Sequence, residues 1–299
     1  MKDKIITFLG GAVLAIVAII GVAYLGSDYK KETINSKDLN TGKNDSHVQT
    51  SNDYNFKTGL KLDQFPKNLV ENGIVDLEKY RQLAGEMPAE ESQILESNNS
   101  KEEIIINQNN NQFFLNLFWG LGLAQENKYL VELRSYKDQN QLDGLASTGG
   151  WNIANGSASD HFSMHNFLNL TDEQQKKVAD IASTIYRPCC GNSARFADCN
   201  HGMAMLGVLS LGVSQGLSDD QLYNLALKFN SVWFPDQYSQ MAQYFKVFEK
   251  KETNQVDPKI VLSAKFSSGQ GFSQNIEKPL ATLNNPSAGP QSGGGSCSL

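Results

Sequence analysis

The residues of this chain best suited to chemistry are its sulfurs and imidazoles. It holds four cysteines and four histidines in 299 residues, and three of those cysteines and one histidine fall within the short stretch "RPCCGNSARFADCNHGMAM", Arg187 to Met205. A thiolate is a soft ligand and an imidazole a borderline one. Cys199 and His201 share one helical turn, and Cys189 and Cys190 on a neighbouring loop would complete a tetrahedral set of three sulfurs and one nitrogen. That set suits Zn²⁺, Cu(I) or an iron–sulfur cluster. Met203 and Met205 would add thioethers for copper, but their helical spacing makes them core residues first. Adjacent side chains diverge, so the Cys189 and Cys190 sulfurs meet one ion only through a tight turn, which Gly191 would permit.

Two other chemistries fit the same residues. Four cysteines can form two disulfides in three connectivities. Alternatively, Cys199 near a helix N-terminus would be a low-pKa sulfur for thiol redox catalysis, whether metal-dependent or not. His201 favours the metal, because a staple needs no histidine two residues from a cysteine. Weaker candidates lie outside the stretch: His161 and His165 in "SDHFSMHNF", four residues apart with Asp160 adjacent, are either a ligand pair or a solvated helix face, and Cys297 sits in a Gly/Ser-rich end. Nothing resembles a nucleophile elbow, a phosphate loop or a nucleotide fingerprint.

The elements that must position these residues read as helices. Thr171 with Gln174 makes a capping box before Val178, Ile181, Ala182 and Ile185, which predicts a helix from about Thr171 to Tyr186, stopped by Pro188. Asp198 reads as the N-cap of the next helix, which carries Met203, Leu206, Leu209 and Val213 and ends at Gly216. Ser218 with Gln221 opens another, and Pro235 precedes a stripe from Tyr238 to Phe248. "QFFLNLFWGLGLAQEN" predicts a buried helix and "VDLEKYRQLAG" a short one, while "EEIIIN" is the one strand candidate. In "ASTGGW" Trp151 reads as a buried anchor behind a loop. The expected fold is a mainly α, single compact helical domain over residues 60–265.

The termini differ from that core. No charge interrupts the run from Ile5 to Ser27, a length that crosses about 30 Å of hydrocarbon as a helix. Residues 1–26 therefore read as a single-pass membrane anchor with the domain extracytoplasmic, the alternative being secretion after cleavage near Ala23. Residues 27–59 are polar and read as a flexible stalk, and residues 266–299, rich in Ser, Gly, Asn and Pro, as a flexible tail. The formal net charge is −6 with scattered lysines, which leaves no basic stripe for nucleic acid. The membrane is the one partner that the sequence implies.

With "YRPCCGN", "DCNHG" and "ASTGGW", the chain resembles a group of uncharacterised exported or membrane-anchored bacterial proteins over most of residues 60–255. It is also similar, at a greater distance, to the PCYCGC-motif lipoproteins, although it lacks their cysteine spacing and lipid anchor. The resemblance implies location and site and brings no activity. The expectation is a membrane-tethered extracytoplasmic protein holding a soft metal, with a redox enzyme or a disulfide-stapled surface protein as alternatives.

Overall fold

A computed structural model describes residues 54–96, 100–135 and 139–284. The described residues are mainly helical with one two-stranded sheet. Strands β1 (Asn55–Asp63) and β2 (Ser100–Asn107) pair antiparallel, with Asn55 opposite Asn107 and Asp63 opposite Ser100. Thr58, Leu60 and Leu62 face inward from β1 and Ile104 and Ile106 from β2, the period of two that a sheet with one covered face requires. β1 begins within the segment that composition assigned to the stalk. Its polar partners hide the alternation, but Phe56, Thr58, Leu60 and Leu62 carry it.

Five helices matter most for the site. They are α1 (Asn111–Ala124), α2 (Asp172–Ala182), α3 (Asn200–Ser214), α4 (Asp219–Trp233) and α5 (Pro235–Tyr244). The Thr171–Gln174 and Ser218–Gln221 capping boxes both form, each satisfying two otherwise unpaired backbone donors. α3 ends as its sequence implies. Gly216 takes a φ of +81°, Gly216 N–H donates to the Val213 carbonyl and Leu217 N–H to the Gly212 carbonyl, closing a Schellman motif. α2 is shorter than expected, stopping at Ala182. The loop that follows takes its last carbonyl and one just beyond it: Arg195 N–H donates to Ala182 O and Ala194 N–H to Ile185 O.

The centre of the core is the crossing of α1 and α3. Both helices are almost wholly buried and apolar all round, so neither has a solvent face to orient it. Glycines set the contact instead. A methyl on Gly122 would stand 1.9 Å from the Met203 carbonyl oxygen, and one on Gly207 2.1 Å from the Phe118 carbonyl oxygen. The two backbones therefore touch, and this fixes where α3 begins. Aromatic rings close the crossing on one side, with Phe118 edge-on to Phe229 at 5.3 Å and Phe229 edge-on to Phe56 at 5.6 Å.

The segment assigned to the tail from residue 266 packs on the domain as far as Asn284, through short helices at Ala264–Ser267, Gly269–Phe272 and Lys278–Asn284 and a π-helical turn at Ser273–Glu277. Phe266, Phe272, Ile276 and Leu280 are buried. Composition was a poor guide there because a few well-spaced apolar side chains suffice to dock a Ser- and Gly-rich segment. Among the described residues no helix is long and apolar enough to cross a membrane. The expected anchor at residues 1–26, the stalk up to residue 53 and Cys297 lie outside the described residues.

Replacing Gly122 by alanine should force α1 and α3 apart at a cost of about 3 kcal/mol, lowering the thermal midpoint by roughly 6–12 °C. Gly191→Ala, where an added methyl meets nothing within 4 Å, should leave it unchanged. Equal midpoints for the two variants would contradict the backbone contact.

Candidate metal centre

The site is built on a buried cation. Arg187 is 1% exposed, the largest fully buried side chain of the described residues. A buried guanidinium is tolerated only where its donors are satisfied and its charge is matched. Here Nη2 meets the Asp198 carboxylate at 2.6 Å, Nη1 donates to the Asn192 carbonyl at 2.8 Å, and Nε donates to Cys199 Sγ at 3.2 Å. Asn192 also donates from its side chain to the second Asp198 oxygen at 2.7 Å. One side chain thus ties the loop after α2 to the start of α3.

The first turn of α3 is shaped for this contact. A methyl on Gly202 would lie 2.6 Å from Arg187 Nη2 and 2.7 Å from its Cζ, so the guanidinium lies flat against a backbone that no other residue would leave clear. The N-cap is Cys199, one residue later than expected, and its sulfur accepts the Gly202 N–H at 3.4 Å. Asp198 is displaced from the capping role because its carboxylate is engaged by Arg187 and Asn192. Its carbonyl accepts Ser147 N–H at 3.2 Å, which seats the "ASTGG" turn against the same helix start.

The two adjacent cysteines are brought round by Pro188, not Gly191. Cys190 N–H donates to the Arg187 carbonyl at 3.2 Å, a turn with proline at the position its fixed φ favours. As a result the Cys189 and Cys190 sulfurs lie 3.4 Å apart and Cys189 and Cys199 sulfurs 3.7 Å apart. All three are half-buried thiols without a disulfide, and all three sulfurs lie within 4.8 Å of one another. They could hold a metal ion. The docked C-terminal segment braces the loop: Gly269 N–H donates to the Cys190 carbonyl at 2.8 Å, and Tyr186 N–H to the Leu262 carbonyl at 2.8 Å.

The three thiols do not titrate alike. Hydrogen bonds from Cys189 and Cys190, helped by His201 and the Arg187 charge, hold the Cys199 thiol well below the usual range despite burial. Cys189 is pushed up by its hydrogen bonds to Cys190 and Cys199 and by burial. For Cys190 the bond with Cys189 works downward, but the bond with Cys199 and burial outweigh it and push the thiol up to about 12. Burial opposes the charge on Arg187, and the adjacent sulfurs more than restore it.

His201 follows Cys199 by two residues and helps to lower the pKa of its thiol. Its ring packs on Phe234 at 4.6 Å and on Trp233 at 5.8 Å, and it lies outside the set of mutually close donors. Met203 and Met205 are core residues, 0% and 1% exposed. His161 and His165 meet, but not on one helix face. His161 ends the short helix Ala158–His161, and a turn returns His165 so that His161 Nδ1 and His165 Nε2 lie 3.2 Å apart. Burial and the neighbouring His161 lower the pKa of His165. Asp160 is occupied as the capping partner of Ser157.

Arg187, Asn192 and Gly202 were not singled out from the sequence, although they stand in "YRPCCGN" and "DCNHG" beside the cysteines. An arginine next to a proline gives no sign of burial. No family model matches the chain, and no curated protein or solved structure matches it.

The reduced, metal-free protein should show the ultraviolet absorbance of one thiolate at neutral pH, lost as pH falls through the depressed Cys199 value and missing in Cys199→Ser. The urea-unfolded chain should gain thiolate only near the ordinary thiol pKa of about 8.5. A folded protein whose thiolate signal also waits for that range would refute the assignment.

Proposed function

We propose that this protein binds a single soft metal ion through Cys189, Cys190 and Cys199, in a domain held outside the cytoplasmic membrane by residues 1–26. The observation that carries the reading is the sulfur spacing. A tetrahedral ion about 2.3 Å from each thiolate holds neighbouring sulfurs roughly 3.8 Å apart, close to the 3.4 and 3.7 Å found here. An iron–sulfur cluster places its thiolates on separate iron atoms and needs a wider frame, so the spacing favours a mononuclear ion, Zn²⁺ or Cu(I). For zinc, His201 is the nearest imidazole to complete the tetrahedron.

Arg187 supplies the surroundings that such a site needs. Its Nε–H donates to a sulfur that would be a ligand, and hydrogen bonds of that kind orient metal ligands and tune their basicity. Because Arg187 and Asp198 already join the loop to α3, the thiols are gathered before any ion arrives. This suits uptake and release better than a purely structural role.

Reduced protein prepared without oxygen should bind one Zn²⁺ per chain, with Cys199→Ser abolishing binding and His201→Ala weakening it by about tenfold. Zinc at 100 times its Kd should stabilise the fold by about 2.7 kcal/mol. A second reading is favoured by the depressed Cys199 thiol lying 3.7 Å from the Cys189 sulfur, a pairing suited to thiol–disulfide exchange. Absence of zinc and Cu(I) binding, together with a reversible Cys189–Cys199 disulfide, would replace the metal reading by that one.

A further inference from the structure

The three sulfurs are mutually close. Among the described residues no other histidine, cysteine or acidic ligand atom lies within 4.8 Å of all of them, and His201 turns its ring onto Phe234 and Trp233. An ion that prefers four ligands must reach beyond the set. A trivalent centre with a lone pair takes three thiolates on one side and is complete.

Spacing accommodates such a centre, and charge favours it. A three-coordinate centre with bonds of about 2.3 Å holds its sulfurs within about 4.0 Å of one another, which the observed 3.4 and 3.7 Å accommodate. Arg187 and Asp198 balance each other. Three thiolates then leave a net charge of −2 around Cu(I), −1 around Zn²⁺ and zero around a trivalent centre, and unmatched charge in a half-buried site is unfavourable.

Resting on the reading that the three cysteines act together as ligands, the geometry points to a trivalent thiophilic metalloid, delivered as arsenous or antimonous acid, as a ligand of this site. Three As–S bonds form at Cys189, Cys190 and Cys199 while three As–O bonds break. The protons of the thiols, with one taken from water where Cys199 is already a thiolate, leave with the three hydroxides as three waters. Arsenic stays trivalent, so no oxidant or reductant is required.

The test is native mass spectrometry of the reduced full-length chain in detergent, without oxygen, with sodium arsenite as the only added ligand. The expected product is one adduct per chain that gains one arsenic and loses three hydrogens, with three thiols withdrawn from alkylation. Cys189→Ser, Cys190→Ser and Cys199→Ser should each weaken binding at least 100-fold, while His201→Ala and Cys297→Ser stay within twofold of wild type. The wild-type adduct carries the test even where a cysteine variant does not fold. An adduct that keeps a hydroxyl on arsenic, or one lost in His201→Ala, overturns the proposal. No arsenite adduct in a protein that still binds zinc also overturns it and leaves the metal reading standing, whereas failure to bind arsenite, zinc and Cu(I) alike overturns both.

Discussion

The buried Arg187 guanidinium is the constraint on which the site depends. A cation removed from water must be met by fixed acceptors, and Arg187 finds them on the loop and at the helix that follows it: Asn192 on the loop, and Asp198 and Cys199 at the start of α3. Satisfying that one side chain fixes the distance between the cysteine turn and the helix cap. The thiols are then gathered as a consequence. Removing Asp198 alone would leave the charge unpaired in the interior, which is costlier than the pair is stabilising.

Arg187 can do this only because α3 starts where it does. The helix is held by backbone contact with α1 at Gly122 and Gly207, a rigid reference that side-chain packing alone would not give. The close approach at Gly202 and the Pro188 turn complete the frame. The C-terminal segment adds a brace through Leu262 and Gly269. Fold and site therefore share their fixed points, and the Arg187 guanidinium is satisfied with no ion counted.

Much of this was legible in the sequence where the signal is local. Capping boxes, the Gly216 stop and the apolar periods of α1 to α5 are set by neighbouring residues, so they survive translation into structure. The cysteine cluster was legible for the same reason, since loop length brings its ends together. What was hidden depends on distant partners. β1 needs β2 to make its alternation meaningful, and the docked segment at 264–284 hides four apolar anchors among serines and glycines. The role of Arg187 is visible only once Asp198, Cys199 and Gly202 surround it. His161 and His165 illustrate the opposite case: their spacing implied a shared helix face, and a turn brought them together without one.

The account rests on three sulfurs acting as one mononuclear site, with Arg187 setting their geometry in advance. X-ray absorption spectroscopy of the zinc-loaded protein tests this most directly. Three sulfur neighbours at about 2.3 Å with one lighter ligand and no metal–metal scattering is the predicted result. A first shell of nitrogen and oxygen alone, or a metal–metal distance, would contradict it.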